Sequence, residues 1–536
     1  MIDILIVGSG GAGLTAALEA KRYTKNVVVL SKTYPTHSQT VQAQGGINAA
    51  LSENDKVQIH IDDTVKSAHE IGNKDAIEIL CNNAADAIKW LDDIGVPFSR
   101  DENSNIAQRQ LGGTKQTRAC YSSDYTGLKI LHTLYDQCIK NEIEFYNERL
   151  MLNLIVENKT VKGLTAFNIT TGETEEYLAK KVILATGGYG GIYYDYTTNS
   201  YATTGDGQAI ALRAGAKLKD MEYIQFHPTT LDKNNILISE SARGEGGYLV
   251  TKDGKRFVDE LKPRDEVARA ILEKINDGQE IFLDLRHLGE EKINEAMPQE
   301  NRLVKEFCHL SMENDLIPIH PAAHYTMGGI KTNTKAQTNI KNLYACGECA
   351  NNGVHGANRL GGNSLLELIV FGKIAAQNAT DNLEDQSCSF TTNSKQYQDD
   401  KKMIEDIYNK NVELDFYKYK QDIGKLLFKD IGLFRDEDKI LEILDQIKIF
   451  KTNINKMGIE DKSKIYNKNL VEFLEYKNII DLLEPIVLSA LNRKESRGAH
   501  YRVDYPTQDD NFSKECLVWL EYNQLKVEFS DIKSEI

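Results

Sequence analysis

Residues 2–7 are apolar apart from Asp3 and enriched in β-branched side chains, which predicts a buried strand. Gly8-Ser9-Gly10-Gly11-Ala12-Gly13 follows, after which Leu14, Ala17, Leu18 and Lys21 recur at helical spacing. Asn26-Val27-Val28-Val29-Leu30 predicts a second strand. Strand, glycine turn, helix and strand within roughly 30 residues form the dinucleotide-binding unit. The glycines let the backbone approach a pyrophosphate, which then sits on the free N–H groups of the helix start. One feature departs from the usual fingerprint: the second strand runs into Ser31-Lys32, where an acid that grips a ribose is expected.

Further along, Val182-Ile183-Leu184-Ala185 enters Thr186-Gly187-Gly188, and Asn342-Leu343-Tyr344-Ala345-Cys346 enters Gly347-Glu348. Both read as buried strands ending in glycine turns. A glycine-rich loop follows the second, then a helix near Asn363-Ser364, with Ser364 as its expected N-cap and Leu365, Leu366, Ile369 and Val370 on its buried face. A second strand-turn-helix so late in the chain predicts a cofactor domain that is completed after an insertion of about 100 residues. From about residue 386 glycine thins out and Lys, Glu, Asp, Ile and Leu dominate. Ile440, Leu441, Leu444 and Ile447 mark one amphipathic helix, and Val471, Leu474, Asn478 and Leu482 another, with a break expected at Pro485. The charge runs of this region read as solvated faces.

A chain of 536 residues exceeds one ordinary core and predicts three or four units of about 150 residues. With 41% apolar and 27% charged residues it is a globular composition, and a net charge of −15 argues against a nucleic-acid or anionic-membrane surface. It leaves room for a small anionic substrate held by a few buried arginines. No run approaches the ~18–20 apolar residues of a membrane span. The first strand begins almost at Met1, so no signal peptide is expected before it, and the expected location is cytoplasmic, with membrane contact only through partner subunits at the cytoplasmic face. Cys346 and Cys349 form a lone CxxC without a second pair at zinc spacing, which reads as two small residues at a strand end. His320 and His324 are four apart, but Pro321 and the glycines that follow speak against a helical metal pair, and no metal site is expected.

Groups that bind anions or move protons gather in Gln225-Phe226-His227-Pro228-Thr229, in the 239–247 segment around Glu240 and Arg243, in Pro263-Arg264-Asp265, in the 320–329 segment HPAAHYTMGG, and in the 354–365 segment VHGANRLGGNSL. Cations converging on one pocket suit a dicarboxylate, because the arginine fork matches carboxylates bidentately. Spacing alone does not establish the convergence. These long motifs resemble the flavoprotein subunit of the succinate dehydrogenase and fumarate reductase family, which includes L-aspartate oxidase. The resemblance runs from the turn at residue 8 to Glu495-Ser496-Arg497-Gly498-Ala499-His500.

The resemblance implies an α/β fold: a Rossmann-like FAD-binding domain with an inserted α+β capping domain and a C-terminal helical domain. The expected boundaries are 1–226 and 324–385 for the FAD-binding domain, 227–323 for the capping domain, and 386–536 for the helical domain and tail. It places FAD along Gly8, Gly10, Gly11, Ala12 and Gly13, Ser31 and Lys32, then Ser38, Gln39, Thr40, Gln44, Gly45 and Gly46. Asp206 and Glu348 match acids that bind polar groups of the cofactor, and Ser364 and Leu365 match the helix start under the flavin pyrimidine. A helix N-terminus there would stabilise the negative charge of reduced flavin. His227, Ser239, His324 and Arg359 match ligands of the substrate carboxylates, Arg264 the proton donor, and Glu240 and Arg243 its relay to solvent. The implied reaction is interconversion of succinate and fumarate, with hydride exchanged at flavin N5 and a proton at Arg264. An arginine, with its pKa above about 12, serves as an acid only transiently, recharged along such a relay.

Two positions discriminate within the family. The short 256–264 link and PAAHYT resemble L-aspartate oxidase, but that enzyme holds its substrate ammonium with a glutamate just before a Gly-Gly pair. Here Leu111 precedes Gly112-Gly113 and would leave a buried ammonium unpaired, at a cost of several kcal/mol or so. L-Aspartate oxidase is therefore the alternative, and a C4 dicarboxylate without an amine the expected substrate. The second position is Gln39, where respiratory members commonly carry a histidine bonded to the flavin. An amide cannot form that bond, and in an extended segment His37 would lie about 7 Å away, so non-covalent FAD is expected, with a lean toward fumarate reduction. No cysteine pattern would hold an iron–sulfur cluster, so clusters are expected on a partner iron–sulfur subunit.

Overall fold

The computed structural model describes residues 1–381, 383 and 392–533. The expected boundary at 385/386 lies outside the described residues. Strand Ile2–Val7 is the centre of a seven-stranded sheet. It pairs in parallel with Val27–Ser31 on one side and with the far half of Glu173–Leu184 on the other. Leu343–Ala345 also lies parallel to Glu173–Leu184, so the late strand-turn-helix completes the sheet begun at residue 2. The near half of Glu173–Leu184 forms an antiparallel meander with Thr160–Asn168 and Arg149–Glu157. Ile4, Leu5, Ile6 and Val29 are buried on both faces, as the unbroken apolar runs require.

The insertion builds a four-stranded antiparallel sheet from Ile224–Leu231, Ile317–Thr326, Ile281–Asp284 and Tyr248–Thr251. The junctions expected at 226/227 and 323/324 fall inside its first two strands, which pair with each other. That pairing carries His227 and His324 onto adjacent strands, with ring centroids 5.0 Å apart. His320 and His324 share a strand rather than a helix.

Four helices, Lys395–Asn409, Phe416–Asp430, Glu437–Asn453 and Lys468–Asn492, make up most of the C-terminal region. Two sequence expectations change here. The face of Glu437–Asn453 that is buried carries Ile440, Ile443, Ile447 and Phe450, whereas Leu441, a single residue from Ile440 and so about 100° round the helix, is 45% exposed. Helix Lys468–Asn492 continues past Pro485. An interior proline costs about 3 kcal/mol, but Leu482, Leu483, Ile486 and Val487 around it are all buried, each contributing roughly 1.5–3 kcal/mol. The tail that follows these helices is β-structure. Glu515–Glu521 and Gln524–Ser530 form a hairpin that adds to Leu218–Lys219, Gly329–Lys331 and Ala350–Asn351 in a five-stranded sheet. Its turn residues Tyr522 and Asn523 both have positive φ, the type I′ signature.

A fully buried arginine joins these parts. Arg493 donates to Glu222 at 2.5 Å and to Glu495 at 3.2 Å, and to the Phe512 and Lys514 carbonyls at 2.8 and 3.0 Å. Its guanidinium also lies 5.0 Å from the ring centroids of Tyr223 and Phe529. Replacing it by methionine (Arg493→Met) leaves Glu222 buried without its cation, while Glu495 keeps Arg497 at 2.8 Å. The expected loss is about 3–5 kcal/mol of unfolding free energy, measured by urea denaturation of the purified protein.

Candidate active site

The glycine turn is built by close packing. A Cβ on Gly8, which has φ +108°, would overlap the Ala185 carbonyl, and one on Gly13 would overlap the Gly8 carbonyl. These glycines let helix Gly11–Lys21 start against the strand ends, with no side chain in the way of its free N–H groups. Thr40 Oγ1 accepts the Gly11 N–H at 3.1 Å, which ties the 37–46 segment to the turn. One continuous cavity starts here. It is lined by Gly8, Gly10, Gly11 and Ala12, Ser31 and Lys32, Ser38, Gln39, Thr40 and Gln44–Gly46, then by Asp206, Glu348, Ser364 and Leu365. Its far end is lined by Leu111, His227, Ser239, Glu240, Arg264, His324 and Arg359. Of the residues singled out by sequence, only Gly13 and Arg243 do not line it: the first packs against Gly8 and the second lies behind Glu240.

At the nucleotide end, Lys32 replaces the missing acid by recruiting two. Its ammonium meets Asp206 at 2.6 Å and Glu475 at 2.8 Å, and donates to the Ala202 carbonyl at 2.7 Å. Asn478 and Thr204 donate to the other Asp206 oxygen at 2.8 and 2.9 Å. Burial pushes the Asp206 carboxyl up, but the Lys32 charge together with the hydrogen bonds from Lys32, Asn478 and Thr204 holds the group below its ordinary value. Glu475 and Asn478 come from the C-terminal helix and were not legible as site residues; Asn478 had read as part of an apolar face.

The 37–46 segment is not extended, contrary to expectation. Pro35–His37 and Gln39–Gln42 are two 3-10 turns, because the segment must fold back across the cavity rather than run along a strand. The 7 Å separation argued for His37 therefore does not apply, and both His37 and Gln39 line the cavity. The Gln39 amide donates to Gln42 at 2.8 Å and accepts the Ser200 N–H at 3.0 Å. Arg109 fixes the next residues, donating to the Gln44 and Gly45 carbonyls at 2.6 and 2.8 Å. Ser364 is not an N-cap. Helix Asn363–Thr380 is capped by left-handed Gly362, and the Ser364 hydroxyl, one residue into the helix, accepts from Arg359 at 3.1 Å.

At the far end two arginines share one acceptor. Gln225 Oε1 takes hydrogen bonds from Arg264 at 3.2 Å and from Arg359 at 3.1 Å, while its Nε2 donates to Asn358 and to the Arg359 carbonyl, both at 2.8 Å. Sequence reading placed Gln225 beside His227 without assigning it a role. Arg264 also donates twice to one oxygen of Glu240, at 3.1 and 2.8 Å, and Arg243 approaches the other at 3.6 Å. Arg243 continues to the Glu260 carbonyl at 2.6 Å, and Glu260 pairs with Arg256, whose side chain is 53% exposed. Polar groups thus lead from the cavity to the surface, with a backbone carbonyl joining Arg243 to the Glu260–Arg256 pair. Burial raises the Glu240 carboxyl, and the charges of Arg264 and Arg243 more than reverse it. Burial and the neighbouring Arg264 push His227 and His324 well below 6.5, so both rings are neutral at pH 7. Burial and Arg264 also bring Arg359 down to about 10. Its Nε is buried with no hydrogen-bond partner, and among the described residues no carboxylate lies within ion-pair distance of it.

This geometry suits FAD and an anion. The glycine cradle fits a pyrophosphate, the unpartnered buried Oγ of Ser38 and Oε1 of Gln44 lie along the cavity, and the orphan Arg359 donor waits at its end. Fold and site together define a flavin-dependent oxidoreductase. The FAD binding domain family matches residues 3–365, and the fumarate reductase flavoprotein C-terminal family matches residues 420–536. The succinate dehydrogenase flavoprotein subunit of Rickettsia bellii is 39% identical, covering 95% of this chain and 91% of its own. The 8-methylmenaquinol:fumarate reductase flavoprotein subunit of Wolinella succinogenes is 36% identical over 97% of this chain and 89% of that one. A solved quinol fumarate reductase from E. coli superposes with a TM-score of 0.94 at 34% identity, covering 99% of this chain and 96% of that one. The chain belongs to the succinate dehydrogenase/fumarate reductase flavoprotein family, FAD-dependent oxidoreductases acting on CH–CH bonds. Among the described residues no helix is long and apolar enough to cross a membrane.

Behind the substrate end lies a buried acid pair. Asp124 accepts the Gln299 and Glu300 N–H groups at 2.7 and 3.0 Å, and Glu300 accepts the Ser239 N–H at 3.0 Å. Burial, reinforced by Asp124, raises Glu300 to about 8. A carboxyl raised on folding favours the folded state below its unfolded value near 4.5, and that contribution is lost as pH rises toward 8. Glu300→Gln keeps the acceptor and removes the charge. The variant is expected to gain stability over the parent at pH 9 and not at pH 5, read as the difference in thermal midpoint at the two pH values.

Proposed function

We propose that the chain is the flavoprotein subunit of a succinate dehydrogenase/fumarate reductase and interconverts succinate and fumarate. The observation that carries this is the orphaned Arg359 donor facing the same cavity end as Arg264, which is itself paired with Glu240 and through it with Arg243. FAD, when bound, supplies hydride exchange at its N5. Gly8–Gly13 would hold its pyrophosphate, Lys32 and Asp206 its polar nucleotide groups, and Gln44–Gly46 with Ser364 and Leu365 its ring end.

Arg359 binds a substrate carboxylate and polarises it as charge builds on the neighbouring carbon. His227 and His324, being neutral, add hydrogen bonds without competing for the proton; Ser239, whose hydroxyl caps the helix at 240–244, supplies a further polar contact. Arg264 passes its proton to the substrate carbon, and Glu240 and Arg243 restore it from the surface. Glu240, kept ionised, also fixes the Arg264 fork in one plane. Leu111, 2% exposed, forms an apolar wall, which supports an unaminated C4 dicarboxylate over aspartate. The relatives that are quinol and 8-methylmenaquinol fumarate reductases support a quinol-linked electron partner, and an iron–sulfur subunit is part of the same proposal. The lean toward fumarate reduction is kept as part of this proposal.

Assays of purified protein with fumarate and a reduced dye, succinate and an oxidised dye, and L-aspartate separate the readings. Activity on aspartate alone overturns ours. Arg264→Gln is expected to lower fumarate turnover by roughly 10²–10⁴ with KM little changed.

The flavin is proposed to be non-covalent, because Gln39 is an amide already bonded on both sides. Acid precipitation should release the yellow colour into the supernatant. Colour retained in the washed pellet would instead point to a bond at His37.

A further inference from the structure

Arg359 is a buried cation with unusual support. Its two Nη atoms donate to neutral oxygens, those of Ser364 and Gln225. The face of its guanidinium lies 4.2 Å from the centroid of the Tyr325 ring. Tyr325 is itself immobilised. Its hydroxyl donates to Glu367 at 3.1 Å, and His355 meets the same Glu367 oxygen at 3.0 Å and the Tyr325 hydroxyl at 3.3 Å. The Tyr325 and His355 rings stand edge to face at 5.4 Å. Tyr325 comes from strand Ile317–Thr326, His355 from the loop after Ala350–Asn351, and Glu367 from helix Asn363–Thr380, so three elements converge to hold one phenol.

Resting on the dicarboxylate reading above, we infer that Tyr325 is a positioning residue for Arg359. Its pinned ring sets the plane of the guanidinium and stabilises the cation, which leaves Nε available to a substrate carboxylate. The chemistry is direct. A phenol that donates to a carboxylate carries more electron density in its ring, and a desolvated guanidinium over that ring gains accordingly. Arg359 is otherwise faced by Arg264 and Glu240 from the inserted domain, His324 from the Tyr325 strand, and Glu348 from the turn at 347–349. Of these the Arg264 charge works against the Arg359 cation, and the ring shares the counterweight with Glu348 and Glu240 until an anion arrives.

Malonate, a dicarboxylate with no bond to oxidise, is the probe, titrated into flavin-loaded protein and followed by flavin absorbance. If wild type does not bind it, the dicarboxylate reading itself fails. If wild type binds, Tyr325→Leu is expected to raise Kd roughly thirtyfold, and Tyr325→Phe and Glu367→Gln about threefold each. The alkaline limb of malonate binding should also move to lower pH in Tyr325→Leu, because Arg359 then loses its proton more easily; a merely structural role would not move it. Binding by Tyr325→Leu within twofold of wild type, with the alkaline limb unmoved, overturns the inference. Where Tyr325→Leu does not retain flavin, Tyr325→Phe decides: a threefold weakening supports the inference and unchanged affinity overturns it.

Discussion

Two buried arginines that share a single neutral oxygen set the terms for the rest of this structure. Arg264 and Arg359 repel each other, and among the described residues Gln225 Oε1 is the only group bonded to both. Glu240 compensates the first, and an aromatic face the second. Burial, reinforced by the surplus positive charge, keeps both histidines neutral, and that charge keeps the Glu240 carboxyl ionised. A chain with a net charge of −15 thereby presents a locally cationic pocket, and the overall acidity says little about what that pocket accepts.

The opposite end of the cavity uses the reverse arrangement. Lys32 is enclosed by two carboxylates, one of them on the C-terminal helix Lys468–Asn492. Arg213 adds a second link, bonding Asn478 at 2.9 Å and Asp481 at 2.6 Å on that helix. The helical region is thus tied to the cofactor fold through its charges as well as its apolar face. Its docking and the shape of the nucleotide end cannot be separated.

Much of this was legible in the chain. Continuous apolar runs entering glycine turns located the parallel strands, because strands buried on both faces leave no polar alternation to confuse them. Segments around Arg264, His324 and Arg359 could be recognised because each carries several chemically distinctive side chains close together. Gln225, Tyr325, Glu475, Asp124 and Glu300 could not, since each is an ordinary polar residue whose meaning depends on a partner brought from far along the chain. The run through Pro485 was hidden for a related reason: propensity is local, whereas the burial that overrides it belongs to the assembled core. The terminal hairpin did carry a signal in Tyr522-Asn523, where a turn residue separates a continuous apolar run from an alternating one.

That hairpin has a consequence for biogenesis. Leu218–Lys219 stays an open edge until residues 515–521 arrive, and the Asp220 carboxylate reaches across 296 positions of sequence to the Cys516 N–H. The ladder is therefore among the most non-local features of the fold, and contacts of this span close slowly. On the ribosome the neighbouring cofactor sheet can pair most of its strands long before its supporting sheet is sealed. During that interval an unpaired strand edge and an unfilled nucleotide groove are exposed together. Occupancy of the groove by its ligand, which favours the finished fold by mass action, then acts as a folding partner as well as a reagent.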